Sequence, residues 1–162
     1  MTEELFTMPE LVDQYRVDVV DGSSWTRPVP KVDELSAVYF AACAKGALLV
    51  QHCPACGHWQ HYARLMCTAC GGTPAWRQVP GTGTVHTHTM VTRPTLPGFA
   101  GDEPYVIAMV ELESGVMIMG NVIDCPQEDV HVGMAVQARV VKVSDSIGIP
   151  QWRPARGGDP AR

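Results

Sequence analysis

Two C-x-x-C pairs constrain the fold of this chain more than any other feature of its sequence. The pairs are Cys53/Cys56 and Cys67/Cys70; each is followed by glycine, and ten residues separate them. Such a turn points backbone N–H groups at the sulfurs, and glycine relieves its strain. Two turns that face one another supply four sulfurs in tetrahedral geometry, the usual arrangement of a structural metal site.

Zinc is the metal that we expect in this site, because it is redox-silent and favours tetrahedral sulfur; iron fits the same ligands. Sulfur would occupy all four corners, so no position stays open for water and the metal is expected to be structural. His52, His58 and His61 could each replace a cysteine, but we expect them on the ribbon surface. A redox dithiol is the other interpretation of such pairs.

Length and composition point to a cytoplasmic globular protein. The chain has 162 residues, enough for one domain or two small ones. Its acidic N-terminus lacks the features of a signal peptide, and no apolar run is long enough to span a membrane. In a reducing compartment, paired cysteines bind metal more often than they form disulfides. The formal net charge of −5 gives no overall attraction to nucleic acid.

Residues 1–46 are predicted to form an N-terminal arm with two helices. Residues 7–10, Thr-Met-Pro-Glu, can form a capping box before a short helix that contains Leu11, Val12 and Tyr15. The Pro- and Gly-rich segment 22–30 favours an extended path. Asp33 can cap the second helix, which Lys45-Gly46 would end. Its apolar face is predicted to contain Leu35, Val38, Tyr39 and Ala42.

Short β runs dominate the rest of the chain. Residues 47–52 predict a strand that enters a ribbon spanning 47–77. Beyond the ribbon, four runs are rich in Val, Ile, Thr or Met: 84–91, 105–111, 116–124 and 135–143. Four or five strands in so short a segment suit a small closed barrel over 78–154, and a flexible tail is expected over 155–162.

No convincing catalytic constellation can be assembled from these residues. Cys43 would lie near a helix C-terminus and Cys125 beside Asp124, and both settings disfavour a thiolate. His86 and His88 alternate along one strand and are expected on the solvent or partner face of the barrel. We therefore predict no catalytic residue in the chain, although an enzyme that uses the two histidines or Cys125 is an open alternative.

The order of these motifs resembles the DUF35 family. The resemblance is carried by YFAACAKGALLVQHC, CPACG…CTACGG, GTGTVHTHTMVTRP, PYVIAMVELESGVMIMGNV and VGMAVQARVV, over roughly residues 30–154. It implies a mainly β fold with N-terminal α-helices, a rubredoxin-like zinc ribbon and a small OB-fold barrel. One stretch departs from the family pattern: HYARLM replaces a Tyr-Pro-Pro-Arg-like segment, so Arg64 matches while the prolines are absent.

The resemblance also implies a function. Family members are non-catalytic accessory subunits of thiolase-superfamily enzymes, which include thiolases, acyltransferases and aldolases of steroid side-chain degradation. They support acyl-CoA binding and complex assembly, and some accompany acyl-CoA hydratases. The competing interpretation is a nucleic-acid-binding module, because zinc ribbons and OB-folds serve that role elsewhere.

The loop over residues 92–104 is longer than a usual hairpin connection. It contains Pro94, Pro97 and Pro104, which limit the entropy lost when the loop is ordered on binding. Leu96 and Phe99 are apolar, and Arg93 stands at its base. Two interpretations are open: the loop folds over its own barrel, or Leu96 and Phe99 dock on a partner while Arg93 contacts acyl-CoA or the interface.

Overall fold

The structure is a computed structural model that describes residues 3–93 and 97–155. Over these residues it contains one α-helix and nine β-strands, besides short 3-10 turns. In chain order the elements are β1 (Asp18–Asp21), α1 (Glu34–Ala44), β2 (Leu48–His52), β3 (Trp59–Gln60), β4 (Ala75–Val79), β5 (Thr82–Val91), β6 (Tyr105–Leu112), β7 (Met117–Val122), β8 (Ala135–Ser144) and β9 (Ile147–Pro154). Apart from Ala155, the predicted tail lies outside the described residues.

Five strands close into an OB-like barrel, in the order β5-β6-β7-β9-β8 and back to β5. The closure depends on β9, which pairs antiparallel with β8 along its length and parallel with β7 at Val122↔Trp152. The Trp152 side chain is fully buried, and Gly120 leaves room for its ring. Our sequence analysis did not predict β9, because its glycine and two prolines are typical of a loop.

The second sheet is a three-stranded antiparallel ribbon in the order β3-β2-β4. Strand β2 is its centre, and Leu48, Leu49 and Val50 are fully buried there. Strand β3 pairs with the end of β2 through Gln51↔Gln60 and His52↔Trp59. The ribbon and the barrel therefore agree with the predicted mainly β fold class.

The prediction of two N-terminal helices is wrong for the first of them. Around Leu11 and Val12 the chain is irregular, with one 3-10 turn at Asp13–Tyr15. The side chain of Gln78 on β4 hydrogen-bonds both the N–H and the C=O of Val12, at 2.5 and 3.1 Å. The backbone groups of Val12 therefore form their hydrogen bonds with a residue distant in sequence, and not with neighbouring residues as they would in a helix. The arm continues as β1, which pairs parallel with β8.

The second predicted helix is confirmed as α1. Asp33 caps it by accepting from the Ser36 N–H at 2.7 Å, and Gly46 follows it with a φ of 75°. Its buried residues are Val38, Tyr39, Ala42, Cys43 and Ala44. In the described part of the chain, no helix is long and apolar enough to cross a membrane.

Helix α1 packs so closely on β9 that a side chain does not fit between them. A Cβ on Gly148 would lie 2.4 Å from the Ala44 nitrogen and 2.5 Å from the Cys43 carbonyl carbon. Both are backbone atoms, so the helix or the strand would have to move. The glycine therefore sets the distance between α1 and the barrel.

We expect Gly148→Ala to lower the free energy of unfolding by about 1–3 kcal/mol, the usual cost of overpacking. Ser146→Ala, in the exposed turn before β9, is the matched control and is expected to change it by less than about 0.5 kcal/mol. Urea unfolding of both variants and the parent measures the difference. If Gly148→Ala and the parent had equal urea unfolding midpoints, the close contact between α1 and β9 would not exclude a side chain at this position.

Candidate metal centre and ribbon loop

The two cysteine pairs meet at one end of the ribbon. One ligand atom from each of Cys53, Cys56, Cys67 and Cys70 can be taken so that all four lie within 4.8 Å of one another. The sulfurs of Cys53 and Cys70 are 3.6 Å apart, as are those of Cys56 and Cys67. Cys53 and Cys67 are buried and the other two are exposed. This is an arrangement that can hold a metal ion.

The two turns have the same local geometry. Gly57 and Gly71 each have a φ of 75°, and their N–H groups donate to the carbonyl oxygens of Cys53 and Cys67 at 2.8 and 2.9 Å. Backbone N–H groups also point at the sulfurs: Ala69 donates to Cys67 Sγ, and Gly72 to Cys70 Sγ, both at 3.4 Å. Glycine follows each pair because only it adopts this conformation without strain.

The backbone donors also prepare a thiolate. Burial tends to raise the pKa of the Cys67 thiol, but hydrogen bonds from the N–H groups of Ala69 and Cys70 and with the neighbouring sulfurs lower it below its usual value. A backbone hydrogen bond from His58 tends to lower the pKa of Cys56, but hydrogen bonds with the other sulfurs raise it. A thiolate is the form that binds a metal. The cluster therefore favours a thiolate at Cys67 and a thiol at Cys56, and a bound metal would have to displace the Cys56 proton.

The three nearby histidines lie outside the sulfur cluster. The His52 ring packs on Trp59 at 4.4 Å, and His58 Nε2 lies 3.1 Å from Thr68 Oγ1. His52 and His61 are both half-buried, and the ring centre of His61 lies 5.0 Å from that of Tyr39. Burial lowers the pKa of His61 to about 4, so its ring is neutral at pH 7.

Two buried glutamines hold the loop that joins the cysteine turns. Gln60 Nε2 donates to Gln51 Oε1 at 2.8 Å and to the Met66 carbonyl at 3.3 Å. Gln51 Oε1 also accepts from the Arg64 N–H at 2.8 Å, and Gln60 Oε1 from the Thr68 N–H at 3.0 Å. Sequence analysis missed this pair, although Gln51 directly follows the apolar run 47–50, and a polar side chain in a buried strand signals a hydrogen-bonded partner.

The other candidate nucleophiles and bases lie apart from this centre. Cys43 is fully buried, and burial raises its pKa to about 12. Burial and the charges of Asp129 and Asp124 raise the pKa of Cys125. His86 lies on the barrel exterior with its Nδ1 3.3 Å from Glu111, and His88 is exposed as well.

The residues predicted to contact a partner are not equivalent in the fold. Arg93 is exposed, whereas Leu96 lies outside the described residues. Phe99 is half-buried: its ring stacks on Tyr105 at 5.0 Å, and the Arg27 guanidinium lies 4.5 Å from its centre. Their role at an interface stays a prediction.

Arg27, which sequence analysis did not single out, ties the N-terminal arm to this loop. It donates to Asp102 at 2.9 Å and to Asn121 at 3.3 Å, and it lies over the Trp25 ring at 5.4 Å. A Cβ on Gly98 would lie 2.3 Å from the Thr26 carbonyl oxygen. The arm therefore covers part of the loop, an arrangement that no local pattern predicts.

Comparisons with known proteins identify the class to which this fold belongs. Two family models match: the ChsH2 rubredoxin-like zinc ribbon domain over residues 40–77 and the ChsH2 C-terminal OB-fold domain over residues 76–141. The protein is therefore of the class that joins a zinc ribbon to an OB-fold.

Relatives specify the family. A DUF35 domain-containing scaffold protein of Methanothermobacter thermautotrophicus is 30% identical over 95 residues, which cover 57% of this chain and 71% of that protein. One from Methanocaldococcus jannaschii is 36% identical over 93 residues, 56% of this chain and 65% of the relative. The chain belongs to the DUF35 family.

A third relative is much longer than this chain. It is named as a probable enoyl-CoA hydratase alpha subunit of Thermomonospora curvata and is 30% identical over 131 residues. The match covers 80% of this chain but only 40% of that protein.

Solved structures support the same fold. A chain of the structure titled "Ltp2-ChsH2(DUF35) aldolase" matches with a TM-score of 0.68 and 29% identity, over 80% of this chain and all of that one. A DUF35-family protein from Sulfolobus solfataricus matches with a TM-score of 0.51 over 72% of this chain and 82% of its own. At 15% identity the second likeness shows the fold alone.

We expect Gln60→Leu to lower the free energy of unfolding by about 1–3 kcal/mol, because it leaves the Thr68 N–H and Gln51 Oε1 without this partner. His58→Ala is the matched control: it contacts the same loop from its exposed side and should change stability by less than about 0.5 kcal/mol. Urea unfolding compares them. If both variants unfolded at the same urea concentration as the parent, the hydrogen bonds of Gln60 to the loop would not contribute to stability.

Proposed function

We propose that this protein is a non-catalytic accessory subunit of a thiolase-superfamily enzyme that acts on acyl-CoA. The partner would be a thiolase, an acyltransferase or a steroid side-chain aldolase. The observation that carries the proposal is the match to the DUF35 chain of an aldolase structure, which covers that chain completely. The family name "scaffold protein" carried by the archaeal relatives supports an assembly role.

The chemistry of the chain supports a division of labour with the partner. The four-sulfur cluster, once filled, offers no coordination position for a substrate. Cys43 is fully buried with a raised pKa, so it is poorly suited to attack an acyl thioester. We therefore assign the catalytic nucleophile and base to the partner subunit.

Zinc is the proposed occupant of the cluster, with Cys53, Cys56, Cys67 and Cys70 as its ligands. The four sulfurs converge, and the backbone favours at least one thiolate, which fits a tetrahedral dication. When bound, the metal would link the two turns and stabilise the ribbon. Iron is the alternative occupant of the same ligand set.

We place the loop over residues 92–104 near the acyl-CoA side of the interface. Arg93 is exposed and can meet a phosphate or a partner carboxylate. Leu96 and Phe99 are the proposed apolar contacts with the partner. Changing Phe99 to Asp would disrupt its contacts with Tyr105 and Arg27 inside this protein as well as any contact with the partner. Arg93→Ala is therefore the better test of this loop.

A partner that is an acyl-CoA hydratase is the second candidate. It is favoured by the relative named as a hydratase alpha subunit, whose match covers 80% of this chain. The two candidates predict different proteins in the purified complex, so identifying the partner decides between them.

Metal content is the first test. The purified protein is expected to contain one zinc per chain, and Cys67→Ser should lose it and unfold the ribbon, because metal binding is coupled to folding. Cys125→Ser, which changes a thiol outside the cluster, is the control and should retain zinc. Elemental analysis and near-UV circular dichroism measure both effects. Folded parent protein without zinc or iron would contradict the assignment.

Partner identity and activity are the second test. Tagged protein purified from its native host should bring down a thiolase-superfamily protein, and acyl-CoA turnover should require that protein. The purified chain alone should show no thiolase, aldolase or hydratase activity. Turnover by the chain alone that His86→Ala or Cys125→Ala abolishes would instead make it an enzyme in its own right.

A further inference from the structure

The acidic residues of the chain are segregated in its sequence. All 17 aspartates and glutamates lie in residues 1–34 and 102–162, and residues 35–101 contain none. The same central segment has the cations Lys45, Arg64, Arg77 and Arg93 and five of the six histidines. Four thiolates with a dication would add two negative charges, so the segment would still be positive. An acidic protein thus has a ribbon without carboxylates.

The loop at the end of this ribbon exposes apolar side chains. We call residues 61–66, which join β3 to the second cysteine turn, the ribbon tip. In it Tyr62, Leu65 and Met66 have exposed fractions of 59, 61 and 64%. Three large apolar residues so close in sequence form a patch of the kind that marks a binding surface.

The ribbon tip is held in place from inside the protein. The Arg64 N–H and the Met66 carbonyl bond to the buried side chains of Gln51 and Gln60. The second cysteine turn follows directly at Cys67. A loop fixed in this way loses little conformational freedom when it binds, which favours affinity.

A single cation stands among the apolar side chains. The Arg64 residue is exposed, and its guanidinium makes no ion pair or hydrogen bond with any other residue of the described chain. It lines two cavities: one of about 190 Å³ between α1 and the tip, which Asp33 also lines, and one of about 310 Å³ between the tip and the barrel, whose lining has no carboxylate. A partner carboxylate that pairs with Arg64 is therefore better accommodated in the second cavity.

We propose that the ribbon tip docks on a protein partner, in an apolar socket with carboxylates at its rim. The proposal rests on the proposed function, which supplies the partner, and it names the surface and the chemistry of contact. Tyr62, Leu65 and Met66 fill the socket, and Arg64 pairs with a rim carboxylate. The ribbon is electrostatically suited to this socket, because it has no carboxylate that would repel the carboxylates at the rim of the partner's socket.

A protein partner fits this surface better than nucleic acid. Binding to a phosphate backbone needs several cations in a row and flat rings on which bases stack. The ribbon tip has one arginine and one exposed aromatic ring, and two of its three exposed apolar side chains are aliphatic.

The test uses two variants of the tip in the full-length, zinc-loaded protein. Leu65→Ser with Met66→Ser removes apolar contact, and Arg64→Glu reverses the charge. The matched controls lie elsewhere: Val132→Ser changes an apolar residue with an exposed fraction of 64%, and Lys31→Glu reverses an exposed cation that, like Arg64, forms no ion pair within the described chain. The probe is the thiolase-superfamily protein that co-purifies with the parent, and calorimetry measures the dissociation constant. Zinc content and circular dichroism check that every variant is folded.

We expect each tip variant to weaken binding on the order of 100-fold, the effect of losing an interface hot spot, and each control to change it by less than about threefold. Binding by the parent should weaken as salt rises, and Arg64→Glu should reduce that dependence. Tip variants that bind like the parent overturn this inference and leave the proposed function standing. A parent that binds no such protein overturns both. Single-stranded DNA that binds the parent and not Arg64→Glu would replace the protein partner with nucleic acid.

Discussion

The convergence of four sulfurs within 4.8 Å is the constraint on which the ribbon depends. It brings two turns separated by ten residues to one point, so the chain between them must form a short strand and a loop. The buried glutamines then fix that loop, since their amides supply partners for backbone groups that no strand satisfies. A stable ribbon with an exposed, ordered tip follows from these two features.

The barrel depends on a different kind of contact. Strand β9 closes it through Trp152, and Gly148 on the same strand admits the backbone of α1. One strand therefore joins the barrel core to the only α-helix of the described chain. Because α1 leads directly into β2, its position against β9 also sets where the ribbon begins.

The distribution of charge and chemistry agrees with the proposed role in assembly. The four sulfurs can occupy every coordination position of a tetrahedral metal ion, and Cys43 is buried with a raised pKa. What the protein presents to solvent on the ribbon is an apolar tip with one arginine, in a segment without carboxylates. Such a surface is more suited to recognition than to bond breaking.

Local patterns in the sequence determined the cysteine turns, helix α1 and four of the barrel strands, because spacing, caps and β-branched runs act over a few residues. Tertiary structure decided the rest. Val12 is kept out of a helix by Gln78, 66 residues away, and Phe99 is covered by Arg27. His61 is half-buried because α1 packs beside it, and the Pro-containing β9 becomes a strand because β8 pairs with it. These outcomes depend on partners distant in sequence, which no local pattern records.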